Sequence, residues 1–443
     1  MNSKLRADAI RPYENSKLRI LIATDVFPPK CGGSGWSSYY LACALRERGH
    51  HVVIARPRIG AKRDRLTDYD GFIVHEYAHP DLPLKLPILT NYQRNERLYA
   101  AFRRFLLDLI KRERIDIVHG QNGLSIPPAV MAAEAAGIAS VSTIRDWWAL
   151  CYFGTLRHGD VACHGCTVRD LARGLLHIAG AKGVLGWPLI PYMRANLRLK
   201  RRWLARSSRI IAVSNYAAMR LRPYVPADKV RVVPNIIDFG ALSAILQNQD
   251  TTQNTWRTQS ALTKTQNSYW VFAGKLEPNK GVEMLVPALA TAKTTWPTLV
   301  LGDGKLRESL ALAAEAAGVG LNITPWLPND EALRQMAKAS GLLFPSAWPE
   351  PLSRVLLEAS ALGLPIVAMN TGGTPDIIRD GETSLLATDL STFAAAIARL
   401  EADPALCTRL GVAAREHARA NFSKEVVVPQ VEGVYAEALA KKP

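Results

Sequence analysis

A chain of 443 residues with 48% hydrophobic content is large enough for two domains of ordinary size, each with its own core. Its net charge of +16 lies in one half: residues 1–240 hold 37 Lys and Arg against 19 Asp and Glu, and residues 241–443 hold 18 against 20, so the first half is expected to meet an anionic partner. Six cysteines in a chain this long do not suggest a disulfide framework, and an apolar run broken by Lys182, Pro188 and Pro191 argues against a membrane-spanning helix there.

The opening segment, MNSKLRADAIRPYENSKLRI, is polar and charged and leads directly into a strand; no signal peptide is read, and a cytoplasmic location is expected. LRILIATDVFPPKCGGSGWSSYYLACALRERGHHVVI reads as strand, turn, helix and strand, with Gly32 and Gly33 at the turn. The pair lacks the GxGxxG spacing and by itself indicates only a tight turn. DIVHGQNGLS carries His119 and Gln121, and STIRDWWALC carries Arg145 and Asp146. A buried Asp146 suits either a structural ion pair with Arg145 or acid–base chemistry. Cys163 and Cys166 have metal-ligand spacing that Cys151 and His158 or His164 could complete, but a single Cys-x2-Cys favours unbound thiols, and no metal is assigned. The apolar run VLGWPLIPYM, with Trp187 and Tyr192, precedes Arg194, Arg198, Lys200, Arg201, Arg202, Arg206 and Arg209, which suits an interfacial segment or a solvated helix over a buried turn.

VVPNIIDFG, with Asn235 and Asp238, leads to a polar stretch between Leu246 and Ser268 whose composition is that of a surface loop or linker. YWVFAGKLEPNKGVEMLVPALA then reads as strand, turn and helix, with Lys275 and Lys280 on the turn. The most informative stretch is FPSAWPEPLSRVLLEASALGLPIVAMNTGGTPDII: a strand over Leu342 to Pro345, a helix stopped by Gly363 and Pro365, a strand over Ile366 to Met369, and a Gly372-Gly373 turn. Ligands of open parallel sheets sit beyond the carboxyl ends of the strands, so Glu350 is expected to face a crevice and Glu358 to lie a turn or two into the helix. The helix start between them suits a phosphate. Two acceptor carboxylates beside a phosphate site suggest a nucleotide sugar.

Taken in order and spacing, these segments resemble the family 4 retaining glycosyltransferases over nearly the whole chain, Glu350 and Glu358 matching the Glu-x7-Glu signature. The resemblance implies an α/β, GT-B fold with two Rossmann-like domains and a cleft between them. Residues 1–235 would form the acceptor domain, residues 236–420 the nucleotide-sugar domain, and residues 421–443 a helix crossing back. It implies Gly33, Lys275, Lys280, Ser353, Arg354 and Glu358 at the donor, and Glu350, Asp146 and His119 as catalytic. Where the family usually has Arg, this chain has Lys275, a point charge in place of a bidentate fork. Where many members carry His, it has Gln121 and Arg145, neither of which can serve as a base, so acid–base help falls to Asp146, His119 or the leaving phosphate.

The implied reaction moves a sugar from a nucleoside-diphosphate sugar to a hydroxyl of a glycan or lipid-linked acceptor, with retention and without metal or other cofactor. Bacterial surface polysaccharide or glycolipid synthesis is the expected setting, with the basic acceptor half at an anionic membrane surface as a peripheral protein. The same fold houses nucleotide-sugar epimerases, phosphorylases and inactive scaffolds; the Glu-x7-Glu spacing with Lys280 favours transfer. Nucleic acid is not expected despite a pI near 9.7, because the basic residues do not interleave with an aromatic stacking platform.

Overall fold

The computed structural model describes residues 17–81, 87–158, 161–163, 165–247 and 268–440; the polar stretch read as a linker lies almost wholly outside them. The chain divides into two compact units, Met1–Ile236 with Val427–Pro443, and Ile237–Val426.

The first unit contains β1 (Arg19–Ala23), β2 (His51–Ile59), β3 (Arg65–Tyr69), β4 (Phe72–His79), β5 (Ile117–Gly120), β6 (Ala139–Ile144), a small hairpin of β7 (Arg157–His158) and β8 (Val161–Ala162), β9 (Arg209–Ala212) and β10 (Val230–Val232). All but the hairpin join one sheet in the order β10-β9-β6-β5-β1-β2-β4-β3, parallel except for β3 against β4. RILIA of β1 shows why: successive side chains point to opposite faces, and both faces are covered. Ile20 and Ile22 join the core made with Leu41 and Leu45 of the helix Gly33–Glu47 and with Val431 and Tyr435 of the C-terminal helix Lys424–Ala440. Leu21 and Ala23 join Phe102 and Leu106 of the helix Leu98–Arg112 and Ala129 and Ala132 of the helix Ile126–Ala136. Each fully buried aliphatic side chain contributes roughly 1.5–3 kcal/mol.

The second unit contains β11 (Trp270–Ala273), β12 (Thr298–Leu301), β13 (Leu321–Thr324), β14 (Gly341–Phe344), β15 (Ile366–Met369) and β16 (Leu385–Ala387), all parallel, in the order β13-β12-β11-β14-β15-β16. That is the doubly wound arrangement, with its strand order reversing between β11 and β14. β15 has the bounds read from the sequence, whereas β14 sits one residue earlier, because Pro345 has no N–H to give the ladder. The following helix, Arg354–Leu362, begins only beyond Pro349 and Pro351, since residues before proline avoid the helical region. It ends at Gly363 in the left-handed conformation. Within the second unit, Asp238 caps its helix by accepting from Ala241 N–H at 3.0 Å and pairs with Lys424 at 3.0 Å.

Candidate active site

In the second unit the predicted residues gather beyond β11 and β14, where the strand order reverses. The turn Pro278–Lys280 ends at Gly281, which has a φ of +67° and lies against the Pro345 carbonyl with no room for a side chain. This presses the turn onto the end of β14, and Trp348 N–H donates to the Asn279 carbonyl at 3.0 Å. Lys280 Nζ consequently stands 2.7 Å from Glu350 Oε1 and 5.1 Å from the centre of the Trp348 ring. Ser346 donates to the same carboxylate oxygen at 3.1 Å. Behind it, the Glu350 carbonyl accepts from Gly373 N–H at 2.7 Å, while Gly372 packs on the Glu350 backbone too closely for any other residue.

The helix Arg354–Leu362 starts at Ser353, whose hydroxyl makes no capping bond, and its first turn holds no acid. A helix start of this kind, without a side-chain cap, suits an anion. Glu358, one turn in and buried, stands 2.8 Å from Arg354 Nε. Burial pushes its carboxyl above the usual range and Arg354 pulls it back. Lys275 is exposed on the turn after β11.

In the first unit the order reverses between β1 and β5, and polar residues collect there too. Asn122 accepts from the Thr24 hydroxyl at 2.9 Å. Asp25 accepts from Leu124 N–H at 3.0 Å and from the Ser125 hydroxyl at 2.5 Å, yet burial carries its carboxyl up to about 7. Asp146, just past β6, accepts from Trp148 N–H at 3.1 Å and is also raised by burial, against the pull of that bond, Lys200 and Arg145. Lys200 is buried, and desolvation brings its ammonium down to about 8 although Glu96 and Asp146 favour the charge. Glu96 lies in a π-helical turn, Gln93–Arg97, and accepts from the Tyr192 hydroxyl at 3.0 Å and Asn196 Nδ2 at 2.8 Å. Nearby, Gly33 opens the helix Gly33–Glu47 behind an exposed Gly32 with no side-chain cap.

The two departures from the family pattern turn out to be one feature. Arg145 donates to Gln121 Oε1, and through Nε to Asn235 Oδ1 at 2.8 Å, so guanidinium and amide hold each other. His119, expected near the reaction centre, lies in the core of the first unit. It is wholly buried, with Nδ1 2.7 Å from the Tyr435 hydroxyl and Nε2 2.7 Å from Thr143 Oγ1, and burial, aided by Arg145, holds its pKa well below the usual value. With both ring nitrogens engaged inside the core, it braces β5 against β6 and the C-terminal helix.

The pattern described as Glycosyltransferase Family 4 matches residues 31–240, and that described as Glycosyl transferases group 1 matches residues 253–417. The chain belongs to the family 4, group 1 glycosyltransferases. The glycogen synthase of Mycobacterium tuberculosis is 24% identical to this glycosyltransferase over 445 residues, 95% of each chain. The D-inositol 3-phosphate glycosyltransferase of Segniliparus rotundus is 29% identical over 337 residues, 70% of this chain and 72% of that one. Among solved structures, HepE of Anabaena with UDP-glucose superposes with a TM-score of 0.66 at 17% identity, over 95% of this chain and 99% of that one, which gives the GT-B fold. The glycosyltransferase uses a nucleotide-sugar donor.

Three polar residues of this glycosyltransferase escaped the sequence reading. Asp25 follows a strand like any loop acid, Glu96 lies on a helical run, and Lys200, read as part of a basic surface run, is interior. A lysine one turn beyond Asn196 on a helix was the available signal for the last of these. The thiols of Cys151, Cys163 and Cys166 are free and clustered, Cys166 hydrogen-bonding with the other two and holding Cys151 down at about 5. His164 and the side chain of His158 lie outside the described residues, among which no group of three His, Cys, Asp or Glu side chains is arranged to hold a metal.

Proposed function

We propose that the enzyme transfers a sugar, with retention, from a nucleoside-diphosphate sugar to a hydroxyl of a glycan or lipid-linked acceptor in bacterial surface polysaccharide or glycolipid synthesis. The observation that carries this is the Lys280–Glu350 pair beside an uncapped helix start, at the point where the second sheet reverses its strand order. As the glycosidic bond breaks, negative charge gathers on the diphosphate. Lys280, Lys275 and the N–H groups at Ser353 and Arg354 are fixed positive groups that meet this charge, more strongly in the transition state than in the ground state. Gly33 offers an anion-binding helix start of the same kind in the first unit. These groups serve in place of a divalent cation, so chelation leaves the rate unchanged.

Glu350 has one oxygen engaged by Lys280 and Ser346 and turns the other to the donor sugar's hydroxyls, near the developing oxocarbenium ion. Glu358 accepts from the ribose hydroxyls, bonds that favour its ionised form against burial. In the first unit, Asp25, Asp146, Glu96 and Lys200 supply both donors and acceptors for the hydroxyls of an acceptor, and Asp146 and the departing phosphate are the groups left to take its proton. No helix among the described residues is long and apolar enough to cross a membrane. A lipid-linked acceptor therefore brings the enzyme to the inner face of the cytoplasmic membrane as a peripheral protein. The test is the anomeric configuration of the first-formed product by proton NMR, with chelator present and absent: inversion, or a chelator-abolished rate that magnesium restores, contradicts the proposal.

A further inference from the structure

The helix Val168–Ala179 and the 3-10 segment Gly180–Leu189 fold into a hairpin, closed where Gly183 lies against the Leu175 backbone with no space for a side chain and Gly186 packs on the Leu175 side chain. Thr167 and Asp170 form a capping box at its base, which ties the one acidic residue between 168 and 202 to its own helix end. The packing buries Leu171 and Gly174 but leaves Val168, Leu176, Ile178, Val184, Leu185 and Trp187 in solvent, Leu185 at 81% and Ile178 at 66%. Of the 16 large hydrophobic side chains exposed on the described residues, these six fall within residues 168–187, so they form a patch and not a scatter.

The adjoining helix, Ile190–Arg206, carries Arg194, Arg198 and Arg202 four residues apart, hence on one stripe. Arg169, Arg173 and Lys182 are exposed on the hairpin itself. Between the two lies a groove of about 690 Å³ whose lining mixes apolar Val168, Trp187 and Ile190 with Arg169, Arg194 and Arg198. The remaining basic residues of the run, read from the sequence as one group, do not share this surface. Lys200 is buried, Arg201 donates to the carbonyls of Ala149 and Leu150 at 3.0 and 3.1 Å, Arg206 pairs with Glu134, and Arg209 pairs with Glu437 at 2.8 Å. What is left is an apolar tip edged by arginines that no carboxylate among the described residues neutralises.

We infer that this hairpin and the arginine stripe dock the enzyme on an anionic lipid bilayer, a role that rests on the lipid-linked acceptor proposed above. Leu185, Ile178 and Trp187 enter the interfacial layer, where an indole and aliphatic chains lose water without crossing the membrane. Arg194, Arg198 and Arg202 meet lipid phosphates, and the groove, with arginines and apolar side chains in one lining, receives a headgroup. A protein partner of similar area would need acidic residues facing the arginines and a surface fitted to the tip; the bilayer needs only charge and an apolar interior.

The experiment is cosedimentation of the full chain with phosphatidylcholine vesicles, with and without phosphatidylglycerol, at low and moderate salt. Binding to the anionic vesicles alone, weakened by salt, is expected. Leu185→Glu, and separately Arg198→Glu with Arg202→Glu, should each reduce it by about tenfold or more while melting as the wild type does. Hydrolysis of the sugar nucleotide should be unchanged in both variants, which separates docking from chemistry. Vesicle binding that persists when no acceptor is glycosylated supports docking and counts only against the transferase reading. Equal binding to neutral vesicles, no binding, or variants that bind like the wild type overturn the inference. So does self-association abolished by Leu185→Glu, which would make the patch an interface between copies of this chain.

Discussion

Beyond β11 and β14 the second unit sets two carboxylates against cations, Glu350 at 2.7 Å from Lys280 and Glu358 at 2.8 Å from Arg354. Beyond β1 and β5 the first unit holds Asp25 and Asp146 mainly through N–H and O–H donors, with both carboxyls pushed upward by burial. The first arrangement is a set of fixed charges suited to a fixed diphosphate. The second is a set of groups able to give as well as accept hydrogen bonds, which suits neutral hydroxyls. The same contrast explains why the Glu-x7-Glu half follows its family closely while the other half replaces two histidines by a mutually bonded Gln121 and Arg145. Donor chemistry is shared across acceptors; acceptor chemistry is not.

The largest effect that could break this contrast is on turnover. Glu350→Gln should lower kcat by about 10²–10³ with little change in nucleotide affinity by calorimetry, and an equal loss in both would reduce Glu350 to a binding residue. Next comes stability: His119→Ala removes two buried bonds and leaves Tyr435 and Thr143 unpartnered, for about 3 kcal/mol in urea unfolding. Folded His119→Ala protein that retains stability but loses turnover would restore the histidine to catalysis.

Glu358→Ala should raise the donor KM by about 10–100-fold at nearly constant kcat, and donors lacking ribose hydroxyls should discriminate against the wild type but not the variant. A double-mutant cycle of Gln121→Ala and Arg145→Ala should show a coupling of about 1–2 kcal/mol; simple additivity would dissolve the pair. The smallest effect concerns pH. Asp25 is raised from 3.8 to about 7, so it binds its proton more tightly folded than unfolded. The stability it lends is full below its unfolded value and is lost as pH rises through about 7. Asp25→Asn lacks that decline and should gain on the wild type between roughly pH 4 and 7, by about 2 kcal/mol. Parallel stability curves would show that Asp25 does not titrate there.

Much of the second unit was legible from sequence because its signals are local. Ile366–Met369 is a buried apolar run between a helix-stopping Gly363 and a Gly-Gly turn, and Glu350 and Glu358 are held together by the one short segment they belong to. The start of their helix was legible too, since Pro349 and Pro351 forbid an earlier beginning. The first unit resisted because its site is built from distant pieces. Lys200 feels the charges of Glu96 and Asp146, residues far apart in the chain, and a buried lysine in a run of arginines has no local signature. Nor does the sequence around His119 show its bond to Tyr435, 316 residues away.

The central claim is that Lys280 and Glu350 mark a nucleotide-sugar site, and thermal unfolding with UDP, GDP, ADP and their sugar conjugates tests it most directly. Ligand at a hundred times its Kd stabilises by about 2.7 kcal/mol, a clear rise in Tm. A rise with one nucleotide family, abolished by Lys280→Ala, is the predicted result. No rise with any of them, or a rise that Lys280→Ala leaves intact, would contradict it.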